Sequence, residues 1–275
     1  MAEAHVAREP NFTSACVRSS ATQPKRPGRI AATKVCVEAA SPSDAVIQIS
    51  TISTHHPHQE RIISSATPSR SAVLYVEGLS FQYPNRQLFR QQSWRIPSGV
   101  TWVTGGEGCG KTTLLRLLAG AVPLDAGHLK INGVSLASQP AAYRQQVFWV
   151  DPKSNALDQV TPTAYFASLA ASYPQFDTAL LAELTRGLAL TPHLDKPLYM
   201  LSTGSKRKVW LAAALASAAA LTLLDEPFAA LDLASVRFVQ TLLAEAAAHS
   251  ARAWLLADYV APSGVPLALV LDLGD

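Results

Sequence analysis

Apolar residues along this chain follow two regimes, and the change comes near residue 70. Before it, large apolar residues are scattered among Ser, Thr, Pro and Ala with no sustained period, and residues 46–49 form the one strand-like fragment. After it, short alternating runs predict strands at 73–76 and 79–83, a turn at Pro84-Asn85, and further strand at 88–89 and 93–96. A turn at Pro97-Ser98-Gly99 leads into the β-branched and aromatic run 100–104, and an apolar helix follows over 114–120. Residues 123–133 read as turn, strand and turn, and 144–150 end in another strand. Across 161–190, Tyr165, Phe166, Leu169, Leu180, Leu181, Leu184 and Leu188 recur at three- and four-residue spacings and predict core-facing helix. An alanine-rich helix follows 201–208, an apolar strand covers 221–224, and 254–257 and 267–271 read as closing strands.

Between the strand at 100–104 and the helix at 114–120 lies Gly105-Gly106-Glu107-Gly108-Cys109-Gly110-Lys111-Thr112-Thr113. It fits G-x-x-x-x-G-K-[ST], a phosphate-binding loop in its required strand–loop–helix setting. The glycines let the chain curl until successive N–H groups point inward at an anion. The spacing predicts that Lys111 reaches the outer phosphates and that Thr112 offers its hydroxyl to Mg2+. The positive end of the following helix faces the same anion. Tyr83, about thirty residues earlier, has two readings: an aromatic that stacks on a nucleotide base, or a half-buried strand tyrosine.

Two later stretches add chemistry. Leu201-Ser202-Thr203-Gly204 precedes a helix, so Ser202 and Gly204 stand at an N-terminus suited to an anion. The strand at 221–224 ends in Asp225-Glu226, two carboxylates at the end of a buried apolar run, which has little structural rationale. Asp225 is placed to hold Mg2+ and Glu226 to polarise a water; Asp232 follows closely.

Composition narrows the function classes. The net charge is +3, with eight Lys/Arg against five Asp/Glu in residues 1–70 and fifteen of each in 71–275. A neutral folded portion gives no electrostatic footprint for nucleic acid. Cys16, Cys36 and Cys109 make no disulfide framework and fit a reducing compartment. The most apolar run, 209–224, falls short of the about 20 residues that a membrane helix needs. Residues 1–70 have too little apolar bulk to offset ordering entropy and are expected to be a disordered extension. Their Arg- and Ser-rich composition fits an organelle transit peptide or a start-site artefact. The cluster His55, His56 and His58 is expected to be inert rather than metal-binding.

In order and spacing, the phosphate loop, Leu-Ser-x-Gly, and apolar-Asp-Glu-Pro with x-Leu-Asp strongly resemble the ATP-binding cassette (ABC) ATPases, over about residues 73–275. The resemblance implies an α/β fold with a P-loop NTPase core and mainly parallel sheet, plus an antiparallel β subdomain from residues 73–100 and an α-helical subdomain at about 151–205. It implies ATP and Mg2+ as cofactors, with Tyr83 on the adenine and residues 105–113 on the phosphates. Ser202 and Gly204 would contact the nucleotide of an opposite cassette, Asp225 would serve the metal, Glu226 would be the general base and Asp232 would lie in the dimer contact. Its members work as head-to-tail pairs, so the single cassette implies a second one, in a homo- or heterodimer. It further implies an integral membrane permease as partner, and a cytoplasmic location at the inner face of the membrane. The Leu201–Lys208 stretch looks similar to compact export-type cassettes, including the haem-export ATPase of cytochrome c maturation.

Two positions depart from that pattern. Asp151 stands where the family usually has a glutamine that senses Mg2+ and water; an acid there still suits Mg2+, directly or through water. Asp258 stands where it usually has a histidine for the γ-phosphate, and His249 precedes that strand. An ionised carboxylate ~4 Å from a phosphate charge costs about 4 kcal/mol at an effective dielectric near 20, so unless Asp258 turns away or is protonated, hydrolysis is expected to be slow by about two orders of magnitude or more. Three functions are therefore weighed: the ATPase subunit of a transporter, a soluble cassette acting on a macromolecular assembly, and a regulatory module that binds nucleotide with little turnover.

Overall fold

The computed structural model describes residues 71–249 and 251–274. The expectations for residues 1–70, including the strand fragment, the histidine cluster, Cys16 and Cys36, lie outside the described residues.

The chain opens with two long strands, β1 (Ala72–Tyr83) and β2 (Arg86–Pro97), paired antiparallel. The four short strand segments expected from alternation are thus two strands. Each bends where its register slips. Gly78 in β1 has φ +61° and Gln91 in β2 has φ +50°, and Ser80 Oγ accepts the Gln91 N–H at 2.9 Å. These bulges break the period of two, which is why each strand looked like two in the sequence.

β3 (Gly99–Thr104) leads through the glycine loop into α1 (Lys111–Leu118). Next come β4 (Ala126–Ile131), β5 (Val134–Ser135), α2 (Pro140–Gln145) and β6 (Val147–Trp149). The helical stretch holds α3 (Pro162–Ser172) and α4 (Thr178–Gly187), separated at Tyr173-Pro174 and capped by Thr161 and Asp177. Two 3-10 turns, Thr191–His193 and Leu198–Met200, lead to α5 (Thr203–Ala216), which runs past the expected end of the helical subdomain. β7 (Leu221–Asp225), α6 (Leu233–His249), β8 (Ala253–Ala257) and β9 (Leu267–Asp272) complete the chain.

The strands form two sheets. One is antiparallel with order β2-β1-β4-β5; the other is parallel throughout with order β6-β7-β8-β3-β9. The apolar run at 209–224 is the buried end of α5 turning into β7. No helix among the described residues is long and apolar enough to cross a membrane.

Burial explains the continuous apolar strands. β8 is buried at every residue, and its side chains alternate between two cores. Trp254 and Leu256 pack with α3 to α6, while Ala253, Leu255 and Ala257 pack with α1 and the antiparallel sheet. A strand covered on both faces needs no polar positions. The sheet order then sets the site. β7, β8 and β3 lie side by side, so the loops after them open at one edge, the usual place for a ligand in a parallel α/β sheet.

Candidate nucleotide site

The site is built on α1. Leu114, Leu115, Leu117 and Leu118 are buried, and Tyr143 Oη donates to the Leu118 carbonyl at 2.8 Å, anchoring the far end of the helix. At its near end Gly110 has φ +108° and supplies no side-chain cap. The first-turn N–H groups of α1 are thereby left for an anion. Gly110 also lies close to a neighbour, since a Cβ there would stand 3.1 Å from the Phe89 ring. Gly105, at φ +144°, is tighter still: its Cβ would meet Cys109 Sγ at 2.6 Å and the Gly274 carbonyl at 2.7 Å. Cys109 is buried and packs inside the loop as a small side chain.

Lys111 is buried and donates to the carbonyls of Gly105 and Gly106, at 2.8 Å each. Its Nζ also stands 4.0 Å from the centre of the Tyr259 ring. Both are contacts that an arriving phosphate oxygen can replace with a stronger, charge-assisted bond. A cavity of about 200 Å³ opens beside it, lined among others by Tyr83, Arg86, Lys111, Thr112, Asp225 and Glu226. Tyr83 is 44% exposed. Its hydroxyl lies 3.2 Å from Thr113 Oγ1, and Phe81 packs edge-on at 5.1 Å. The ring is held by these two contacts and stays partly exposed at the cavity wall.

The metal chemistry divides. Thr112 Oγ1 donates to Asp225 Oδ2 at 2.7 Å, which joins two hard oxygen donors across 113 residues. Such a pair fits Mg2+, which takes one or two protein oxygens and keeps the rest for water and phosphate. Burial pushes the Asp225 carboxyl above the ordinary aspartate range; the Thr112 hydrogen bond opposes this and nearby Glu226 adds to it. Asp151 is engaged elsewhere. Its Oδ2 pairs with Arg116 at 2.8 Å and its Oδ1 accepts the Lys153 N–H at 2.9 Å. Among the described residues no three His, Cys, Asp or Glu side chains come together as a metal centre.

Glu226 stands at the end of β7 with φ +45°, and its N–H donates to the Ala257 carbonyl at 2.8 Å. Asp258 follows Ala257 directly. Its Oδ1 accepts the Tyr259 N–H at 2.7 Å, and its backbone carbonyl accepts Trp102 Nε1 at 3.0 Å. Burial raises the Asp258 carboxyl, against the pull of the Tyr259 and Val260 N–H groups.

The remaining expected residues lie around the start of α5. Ser202 is its N-cap, accepting the Ser205 N–H at 3.1 Å. Gly204 faces the loop after β7 so closely that a Cβ would stand 2.4 Å from the Ala230 carbonyl oxygen. Asp232 caps α6 through the Ser235 N–H at 2.8 Å and pairs with Lys208 at 2.5 Å. Lys208 and Ser235 hold its carboxyl well below the ordinary range. Arg86, Tyr259 and Arg207 escaped the sequence reading. Arg86 follows the turn after Tyr83, Tyr259 adjoins the odd Asp258, and Arg207 sits inside the Leu201–Lys208 stretch; only those adjacencies pointed to them.

The family model for ABC transporters matches residues 89–229. The chain is 33% identical over 207 residues to the cytochrome c biogenesis ATP-binding export protein CcmA of Aromatoleum aromaticum, covering 74% of this chain and 96% of that one. It is 36% identical over 190 residues to the CcmA protein of Rhodospirillum rubrum, covering 66% and 78%. Among solved structures it is similar to an ATP-binding subunit of an ABC transporter, with TM-score 0.62 and 24% identity over 68% of this chain and 80% of that one. It is also similar to cbiO1 of Clostridium perfringens, part of the ABC transporter complex cbiONQ, with TM-score 0.54 and 24% identity over 70% and 80%.

Proposed function

Since this chain belongs to the ATP-binding cassette ATPases, we propose that it pairs with a second cassette on ATP and drives export through a separate membrane permease. As an ABC-type ATPase it binds nucleotide and serves transport. The finer reading assigns the roles. The N–H groups of the loop from Gly105 to Thr113 and the Lys111 ammonium hold the phosphates, and Tyr83 packs against the base. Thr112 and Asp225 hold Mg2+, which supplies charge neutralisation at the phosphates. Glu226 orients a water and takes its proton. Ser202 and Gly204 meet the nucleotide carried by the second cassette, and Asp232 steadies that contact through α6. The permease holds the chain at the inner face of the membrane. The names of its relatives favour an export step in cytochrome c biogenesis.

The Thr112–Asp225 hydrogen bond, made at the mouth of the cavity that also holds Lys111 and Glu226, carries this reading. Asp151 and Asp258 favour a slow cycle. Asp151 is tied to Arg116 rather than free to sense water, and Asp258 brings a further carboxylate near Glu226. The same observation favours a second reading, a regulatory module that closes on ATP with little turnover.

The test compares the full chain with Glu226→Gln. Wild type is expected to hydrolyse ATP slowly, and the variant to lose about 100-fold or more in kcat while its ATP affinity stays put and an ATP-held dimer accumulates in size-exclusion chromatography. Equal rates in both proteins would remove Glu226 from the base role. Binding without turnover in either would favour the regulatory reading, and many turnovers per second in wild type would refute the slow cycle.

A further inference from the structure

The cations Lys206, Arg207 and Lys208 are the fourth to sixth residues of α5, and successive positions on a helix point about 100° apart. They accordingly reach three different segments. Lys206 pairs with Asp158 at 2.8 Å, Lys208 pairs with Asp232 at 2.5 Å, and Arg207 donates through Nη1 to the backbone carbonyl of Glu226. The first two bonds join partly exposed ions and are worth little by themselves. The third is different in kind, because its acceptor is the main chain of the residue assigned as general base.

That main chain needs holding. Glu226 is left-handed at φ +45°, a conformation costing a non-glycine residue about 1–2 kcal/mol. Such a conformation lasts only where its surroundings over-determine it. Here β8 fixes the N–H through Ala257 at 2.8 Å, and the carbonyl accepts the Ala229 N–H at 3.1 Å together with Arg207. Arg207 also lines, with Pro152, Trp210 and Asp225, a small cavity of about 30 Å³ behind the site. Its guanidinium therefore stands beside the carboxylates of the hydrolytic centre, where it draws Asp225 and Asp258 downward against their burial.

We infer that Arg207 is a positioning residue for hydrolysis. It pins the left-handed backbone of Glu226 and so aims that carboxylate, and it adds positive charge on the side where Asp258 adds negative. The inference rests on the reading of Glu226 as the base. Arg207 acts through Glu226, so its removal changes kcat and leaves nucleotide affinity alone.

The full chain is compared as wild type, Arg207→Met, Arg207→Lys and Arg207→Met with Glu226→Gln, and Arg207→Gln replaces the methionine variant if that fails to fold. Expected is a loss of about 10- to 100-fold in kcat for Arg207→Met, the scale of a misaimed catalytic group. ATP affinity should stay within about twofold, lysine should recover part of the loss, and adding the methionine to Glu226→Gln should slow it no further. A wild-type kcat, a parallel loss of affinity, or a loss that multiplies in the Glu226→Gln background overturns the inference. Amide hydrogen exchange gives an answer independent of turnover. If wild type does not hydrolyse ATP, the proposed function fails. The Arg207 inference then stands on faster exchange confined to the Glu226 and Ala229 amides in Arg207→Met, and falls if that exchange is unchanged.

Discussion

Replacing Gly204 by alanine separates nucleotide binding from turnover. Gly204 is the second residue of α5, just after its N-cap Ser202. Its backbone is unstrained, so alanine by helix propensity alone would stabilise by up to ~1 kcal/mol. Packing opposes this. The added Cβ would stand 2.4 Å from the Ala230 carbonyl oxygen, and a relaxed carbon–oxygen contact is about 3.3–3.6 Å. The two segments must part by roughly 1 Å. Ala230 cannot easily retreat. It is itself left-handed at φ +59°, and two residues on Asp232 is fixed by Lys208 at 2.5 Å and by the Ser235 N–H at 2.8 Å. The start of α5 must lift instead, carrying Ser202 with it.

Overpacking of this kind costs about 1–3 kcal/mol, which after the propensity gain leaves up to about 2 kcal/mol net, or a Tm lower by a few degrees at this size. The kinetic effect should be larger, since a 1 Å misplacement of a positioning group costs about 100-fold. Gly204 does not line the cavity beside Lys111, so ATP affinity should hold. Phosphate release, binding of a fluorescent ATP analogue and thermal melting measure the three quantities, with exposed Thr203→Ala as the control. A Gly204→Ala protein with wild-type kcat and Tm would refute the close approach. Weakened ATP affinity with preserved kcat would refute the role of Gly204 at the partner's nucleotide.

Arg252 should matter for stability rather than chemistry. It donates to the carbonyls of Ala219 at 2.7 Å, Ala214 at 3.1 Å and Leu215 at 3.2 Å and to Thr222 Oγ1 at 3.0 Å, and it stacks on Trp254 at 4.3 Å. Burial draws it down to about 10, so it stays charged. Arg252→Met should cost about 2–4 kcal/mol by stranding buried acceptors, read by urea unfolding, and lysine should rescue little because it lacks the fork. Asp258→Asn should stabilise the fold in a pH-dependent way. The raised carboxyl means that the folded chain holds this proton more tightly than the unfolded one, so the ionised form opposes folding. The gain in Tm should be full at pH 8, shrink through the window above the ordinary aspartate value, and vanish by about pH 4. A gain independent of pH would refute the assignment.

What the sequence could and could not tell divides by distance along the chain. The nine residues from Gly105 to Thr113 are local, and their backbone curl is itself the ligand, so spacing alone carried the chemistry. The acids at the end of β7 were legible because a strand buried on both faces has no other use for them. The fold class was legible through the resemblance that these motifs carry, and the unbroken apolar runs of β7 and β8 agree with it. What failed was register and partnership. The bulges at Gly78 and Gln91 disguised two strands as four, since a slip in pairing resets the alternation that predicts a strand. Asp151 is expected from its position to serve Mg2+, and the partner of its Oδ2, Arg116, lies 35 residues away where no local pattern records it. Asp258 is expected from its position to repel phosphate unless it turns away or is protonated. Its carboxylate caps the turn that follows it, while Trp102, 156 residues away, holds its main chain. Arg207 lies within the run that was quoted for resemblance, but its acceptor is a main-chain oxygen, which no side-chain pattern records. A motif therefore identifies which atoms can do chemistry, and long-range hydrogen bonds decide where those atoms are aimed. The two odd aspartates belong to the second category, and so their effect on turnover has to be read from their partners rather than from their charge.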